Sequence, residues 1–294
     1  MRIIDAHNHP EWHKHDLNRF LLNAAQYRID RTWMLSWECP PVEFNPEQYN
    51  NILCTGANGY PIPFSRCLAY KQAAGDKIVL CYAPDPRLPE CIDRLDAALE
   101  IHGVRVCGEI KLRMMYDNPD ALRLFRHCGI RKLPVVVHLD YEFDTGFKYP
   151  RANWWYGGGI DPFERAVRAC PDTTFIGHAP AFWGHISGDE RAKLEPYPDG
   201  PVLPGGKVSQ MFRDYPNLCA DLSAESALNA LSRDKGFTTE FMIEFQDRLL
   251  YGRDCFDNRL QDSINSLHLP DTVLRKIYSG NALRLVPDNL AHIQ

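Results

Sequence analysis

Short apolar runs rich in β-branched residues alternate with segments of helical period along the whole chain. The predicted strands cover 2–7, 32–37, 77–82, 104–113, 134–139, 173–178, 218–222 and 248–254. Residues 17–27 place Leu17, Phe20, Leu21 and Ala24 on one helix face, and 89–101 repeats Ile92, Leu95, Ala98 and Leu99 after an opening proline. Asn118-Pro119-Asp120 supplies an N-cap and a first-turn proline to a helix over 121–128, and Asp161-Pro162 does the same for 163–170. Helical segments at 207–215, 224–231, 240–247 and 271–278 complete the set. Strand then helix, about eight times in 294 residues, predicts an α/β fold of one domain over 1–294, a (β/α)8 TIM barrel. A doubly wound open sheet alternates in the same way but brings a glycine-rich phosphate loop after an early strand. Gly157-Gly158-Gly159 lacks the G-x-G-x-x-G spacing and reads as a flexible loop.

Three connections are long, 38–63, 140–159 and 179–206, and all follow strands. In a barrel they lie on the C-terminal face, where active sites are built. They carry Tyr60, Trp154, Trp155, Phe182 and Trp183, a set suited to the wall of a ligand pocket.

Composition narrows the classes. Hydrophobic residues at 45% and charged residues at 24% match an ordinary globular chain with a substantial core. Thirty-three basic against 38 acidic residues give a formal charge of −5, which argues against a nucleic-acid surface. No apolar run approaches the roughly 20 residues of a membrane helix. The start, Met1-Arg2-Ile3-Ile4-Asp5-Ala6-His7, holds acid and imidazole where a signal peptide is apolar. The ten cysteines are scattered without a Cys-x-x-Cys pair, so reduced, buried thiols are expected. The expectation is a cytoplasmic chain with a small-molecule substrate, no nucleic-acid or membrane partner, and room for a homo-oligomer.

Chemistry gathers at the strand ends. The first strand closes on Asp5-Ala6-His7-Asn8-His9, where alternation puts Asp5, His7 and His9 on one face. Three further apolar strands end at His138, His178 and Asp254. A barrel brings all these ends to one mouth, so good ligands from four strands point to a divalent metal, zinc above all, at the C-terminal face. His13 and His15 repeat the spacing but follow the strand, and read as solvent or pocket rim. On the fourth strand Glu109, Lys111 and Arg113 alternate onto one face. Glu109 could bridge two cations, and Lys111 could neutralise it or hold an anionic substrate; an internal ion pair is the structural alternative.

Taken in order, Asp5-x-His7-x-His9, the Glu109 strand, His138, His178 and Asp254 resemble the amidohydrolase superfamily. The ending Lys276-Ile277-Tyr278-Ser279-Gly280-Asn281-Ala282-Leu283-Arg284-Leu285 resembles its amidohydrolase-related branch, which includes the aminocarboxymuconate-semialdehyde-type decarboxylases. The resemblance implies a barrel binding one or two divalent ions, usually zinc. It implies His7, His9 and Asp254 as ligands, His138 and His178 as ligands or, for one of them, a catalytic group, and Asn281 as a structural cap. Glu109 stands where many binuclear members carry a carboxylated lysine, and Lys111 is the alternative ligand, so the ion count stays open. The same glutamate resembles the TatD-like metal-dependent deoxyribonucleases, a lesser reading because no basic groove is visible.

The expected reaction is hydrolysis of a small amide, ester or lactone by metal-activated water. Asp254 would serve as general base, and His178 would stabilise the oxyanion if it is not a ligand. Lys111 and Arg113 would bind a substrate carboxylate, while Arg253 alternates outward toward the surface. Two other expectations stand beside it: a non-oxidative decarboxylase, and a non-catalytic metal-binding protein.

Overall fold

The computed structural model describes residues 1–44, 60–141 and 155–288. Trp154 of the aromatic loop set and Cys54 lie outside them. Eight parallel strands run in sequential order: β1 (Ile4–Asn8), β2 (Arg31–Met34), β3 (Ile78–Tyr82), β4 (Val106–Ile110), β5 (Val135–His138), β6 (Phe175–His178), β7 (Leu218–Asp221) and β8 (Leu249–Leu250). The two ends meet through backbone bonds, the Ala6 N–H donating to Tyr251 O at 2.9 Å and the Asp254 N–H to His7 O at 2.8 Å. The molecule is a TIM barrel.

The helices surround it in chain order: α1 (Leu17–Gln26), α2 (Phe64–Ala74), α3 (Cys91–His102), α4 (Pro119–Ile130), α5 (Ile160–Ala169), α6 (Pro180–Trp183), α7 (Lys207–Asp214), α8 (Ala224–Ser232), α9 (Lys235–Glu244), α10 (Arg259–Asn265), α11 (Asp271–Arg275) and α12 (Asn281–Leu285). Asn118 caps α4 as expected, its side chain accepting from the Asp120 N–H. Helix α2 is absent from the sequence reading because its buried face consists of Cys67 and Tyr70 alone, too narrow a stripe to read as amphipathic. Inside the barrel Ile4, Ala6, Trp33, Leu35, Val136 and Ile176 pack together, and a larger apolar layer joins the strands to the helices.

Two local features depart from simple alternation. The β1 register shifts between Asp5 and Asn8, and the β4 register shifts between Cys107 and Ile110. Gly157, Gly158 and Gly159 are also not a flexible loop. All have positive φ (73°, 76° and 84°), and a Cβ on Gly159 would lie 1.9 Å from the Tyr141 ring, so the run is a packed left-handed segment that only glycine can form. Two of the loop aromatics serve the core: Phe182 and Trp183 are fully buried, and Trp183 Nε1 donates to Asp221 O at 3.0 Å, whereas Tyr60 and Trp155 are half-buried.

Candidate metal centre

The centre is assembled where β1, β4, β5, β6, β7 and the segment after β8 reach the C-terminal mouth. His7 and His9 leave β1 with ring centroids 5.3 Å apart. His7 lies 4.2 Å from His178, and His138 lies 5.3 Å from His178, its Cα partner on the adjacent strand. His9 Nε2 is 3.3 Å from Glu109 Oε2 and 3.7 Å from Asp254 Oδ1. His178 Nε2 is 3.7 Å from Glu109 Oε1 and 3.9 Å from Asp254 Oδ2. Residues 7, 9, 109, 138 and 178 are all buried, and the Asp254 side chain is 14% exposed.

Asp221, which ends β7, orients two of these imidazoles from behind. Its two oxygens lie 2.9 Å from His7 Nδ1 and 2.9 Å from His178 Nδ1. A carboxylate accepting from Nδ1–H fixes each ring in the tautomer whose Nε2 lone pair faces forward. His9 is oriented likewise by donating Nδ1–H to Leu35 O at 2.9 Å. Gly252 completes the packing, since a Cβ there would lie 3.1 Å from His7 Cβ. Sequence reasoning passed over Asp221, although Leu218-Cys219-Ala220-Asp221 ends in a carboxylate as the neighbouring strands end in ligands.

The donor set fits a divalent cation. Single ligand atoms of His7, Glu109 and His178, and of His7, His9 and Asp254, lie within 4.8 Å of one another. His7 Nε2 and Asp254 Oδ1 are buried with no hydrogen-bond partner among the described residues, at the point where a cation would engage both. The charge balance agrees. Burial alone would lower the His7 pKa, but Asp221, Asp254 and Glu109 outweigh it and raise it to about 10. Burial likewise opposes ionisation of Glu109, yet Lys111 and His138 hold its carboxyl well below the usual range. Closely set carboxylates of this kind call for positive charge among them. His138 stands beside the cluster, its Nδ1 2.7 Å from Glu109 Oε1 and its Nε2 3.8 Å from Asp140 Oδ2.

A cavity of about 250 Å³ lies over the centre, lined by Trp12, Lys111, His138, His178, Tyr197 and Asp254 among others. Lys111 lies beyond the end of β4, with Nζ 4.3 Å from the Trp37 ring centroid and 5.6 Å from that of Tyr156. Arg113 donates its backbone N–H to Glu43 at 2.9 Å and does not line this cavity.

The expected directions of Asp5 and Arg253 require correction. The β1 register shift takes Asp5 out of line with His7 and His9, to accept from Arg253 Nε at 2.8 Å. Arg253 is 2% exposed, not a surface residue, and its Nη1 donates to Asn23 of α1 at 2.8 Å. The charge of Arg253 is thus engaged in the barrel wall. Asn281 is structural, as expected, with Nδ2 donating to Gln246 O and Leu249 O, both at 2.7 Å.

No protein-family model and no curated protein matches the chain. Among solved structures it is similar to an uncharacterised TIM-barrel protein of Bordetella bronchiseptica, at 15% identity and TM-score 0.64 over 98% of this chain and 99% of that one. It is also similar to a probable 2-pyrone-4,6-dicarboxylic acid hydrolase of Acinetobacter baumannii with citric acid bound (12%, 0.57, 97% and 99%). A third is a dihydroxybenzoic acid decarboxylase of Polaromonas with bound manganese and the inhibitor 2-nitroresorcinol (14%, 0.60, 97% and 96%). The enzymes among these neighbours divide between hydrolases and decarboxylases. At such identities the likeness establishes the barrel fold. Among the described residues no helix is long and apolar enough to cross a membrane.

Proposed function

We propose that the chain is a metal-dependent hydrolase of the amidohydrolase superfamily, acting on a small, carboxylate-bearing amide, ester or lactone in the cytoplasm, without a nucleic-acid or membrane partner. The observation that carries this reading is the convergence of His7 Nε2 and Asp254 Oδ1, both buried and unpartnered, within one cluster of histidines and carboxylates. His7, His9 and Asp254 would hold one ion. Glu109, reached by His9, His138 and His178, would be shared with a second if two are bound. Imidazole and carboxylate donors suit zinc. A bound divalent ion supplies Lewis acidity and lowers the pKa of water to about 7.

The chain's own groups do the remainder. Asp254, at the border of cluster and cavity, takes the proton of the attacking water and returns it to the leaving group. His178, held by Asp221, would either present its Nε2 lone pair to the ion or, if it is not a ligand, donate a proton-bearing Nε2 to the developing oxyanion. Lys111, a buried cation in the cavity wall, pairs with the substrate carboxylate. Trp12 donates Nε1–H to Asp254 O at 2.9 Å and covers His9, which excludes water from that side.

The test is metal analysis of protein purified without chelator, beside the double variant His7→Ala/His9→Ala. The parent should carry near one or two equivalents and hydrolyse a substrate from a panel of esters, lactones and amides. The double variant should lose both metal and turnover; hydrolysis by a metal-free chain rejects the reading. A second reading, non-oxidative decarboxylation, is favoured by the decarboxylase among the structural neighbours. Release of carbon dioxide from an aromatic acid, with no hydrolysis, would select it.

A further inference from the structure

A second chamber opens beside the first. It measures about 460 Å³ against about 250 Å³ for the cavity over the centre. The two share His13, Ala224 and Asp254 in their walls, so they adjoin as two lobes with Asp254 between them. These three residues come from different segments: the turn after β1, the start of α8 and the turn after β8. All three are non-glycine residues in the left-handed region, with φ of 45°, 63° and 50°. Backbone held in that region by its surroundings is concentrated at binding and catalytic sites. Here the surroundings are visible: the Asp254 N–H donates to His7 O at 2.8 Å, and the Ala224 N–H to Arg253 O at 3.0 Å.

The two lobes differ in chemistry. The inner lobe carries Lys111, His138 and His178. The outer lobe is walled by Leu228, Phe256 and Leu260, with His15 stacked flat on Phe256 at 3.8 Å and an interplanar angle of 6°. Of its charged side chains, Arg259 pairs Asp257 at 2.9 Å and Glu225 at 2.8 Å, and Arg253 pairs Asp5 in the barrel wall at 2.8 Å. An apolar, flat-sided lobe whose charges are paired favours an uncharged, planar group.

We propose, resting on the hydrolase reading, that the outer lobe receives the leaving group of the substrate. The substrate class is then an aryl or benzyl ester or amide of a small anionic acid. Its acyl half lies in the inner lobe with the carboxylate on Lys111, and its aromatic alcohol or amine lies against Phe256 and Leu228. The acyl C–O or C–N bond breaks as a C–O bond from water forms. One water proton passes through the Asp254 carboxylate, which faces both lobes, to the departing oxygen or nitrogen. Nothing else is consumed.

The experiment uses the full chain as purified. Binding of phenol and benzyl alcohol is measured by calorimetry in the parent and in Leu228→Trp, which fills the outer lobe, with Glu225→Trp at the exposed rim as the second variant should the first fail to fold. Metal content and thermal unfolding are measured for both. Phenol is expected to bind the parent and to bind the filled variant about tenfold more weakly. The ratio of kcat/KM for phenyl over methyl esters should fall by about the same factor. Absence of phenol binding, equal binding to parent and variant, or an unchanged ester ratio overturns the proposal. Phenol binding that the variant weakens, in a parent that hydrolyses no ester, lactone or amide of the panel, keeps the outer lobe as an aromatic site and instead rejects the hydrolase reading.

Discussion

Asp221 couples two candidate ligands that lie 171 residues apart in the chain, and its replacement is the most informative single change. Asparagine keeps the shape of the side chain but offers only one acceptor oxygen, so the Nδ1–H of His7 or of His178 loses its partner. Asp221→Asn is expected to weaken metal affinity by about 10- to 100-fold while leaving the barrel folded. A competition titration against a metal-binding dye measures the first, and far-ultraviolet circular dichroism the second. Single residues also mark the boundary of what can be read from a sequence. The clustering of His7, His9, Glu109, His178 and Asp254 was legible because imidazoles and carboxylates at the ends of apolar strands stand out against their runs, and the structure brings these side chains together. Asp221 ends a strand in the same way. Its partnership with His7 is a property of closure and carries no periodic signal along the chain.

Elements divide the same way. All eight strands were legible in order because each is a short apolar run between helices. Their ends were not. The sequence reading of 104–113 carries β4 to Arg113, whereas the strand ends at Ile110 and leaves Lys111 beside Trp37. The reading of 248–254 likewise exceeds β8, which spans Leu249–Leu250. Past that point alternation no longer applies, and Arg253 turns inward to Asp5 with side-chain exposures of 1% and 0%. Removing one partner of such a pair strands the other charge in the wall. Arg253→Met should therefore cost about 3–5 kcal/mol of stability, read as a fall in the denaturation midpoint. Near-wild-type stability would mean that the bonds from Asn8 Nδ2 and the Arg253 N–H suffice for Asp5.

On the scale of the whole molecule, the barrel stores like charge at one end of its axis. Glu109, Asp221 and Asp254 meet there with four imidazoles and Lys111, drawn from strands separated by most of the chain. A cation that binds the folded arrangement and not the unfolded chain stabilises it by mass action, by about 4 kcal/mol at a thousandfold excess over Kd. Chelation should accordingly lower Tm by roughly 5–10 °C, with recovery when the ion is restored. An unchanged Tm in calorimetric scans with and without chelator would separate the cluster from metal binding. The order of elements announced this architecture. The two-lobed cleft was not announced, because it depends on how three turns are bent.

Those bends bear on how the protein can change. A side chain with Cβ pays roughly 1–2 kcal/mol to occupy a left-handed backbone, and positions 13, 224 and 254 each do so without glycine. The rim is thus a place where thermodynamic durability and cleft geometry pull in opposite directions. Glycine at 224 would ease the local tension and at the same time slacken the gap between the two lobes. Drift toward a sturdier fold would begin there, and selectivity would be the first property it eroded.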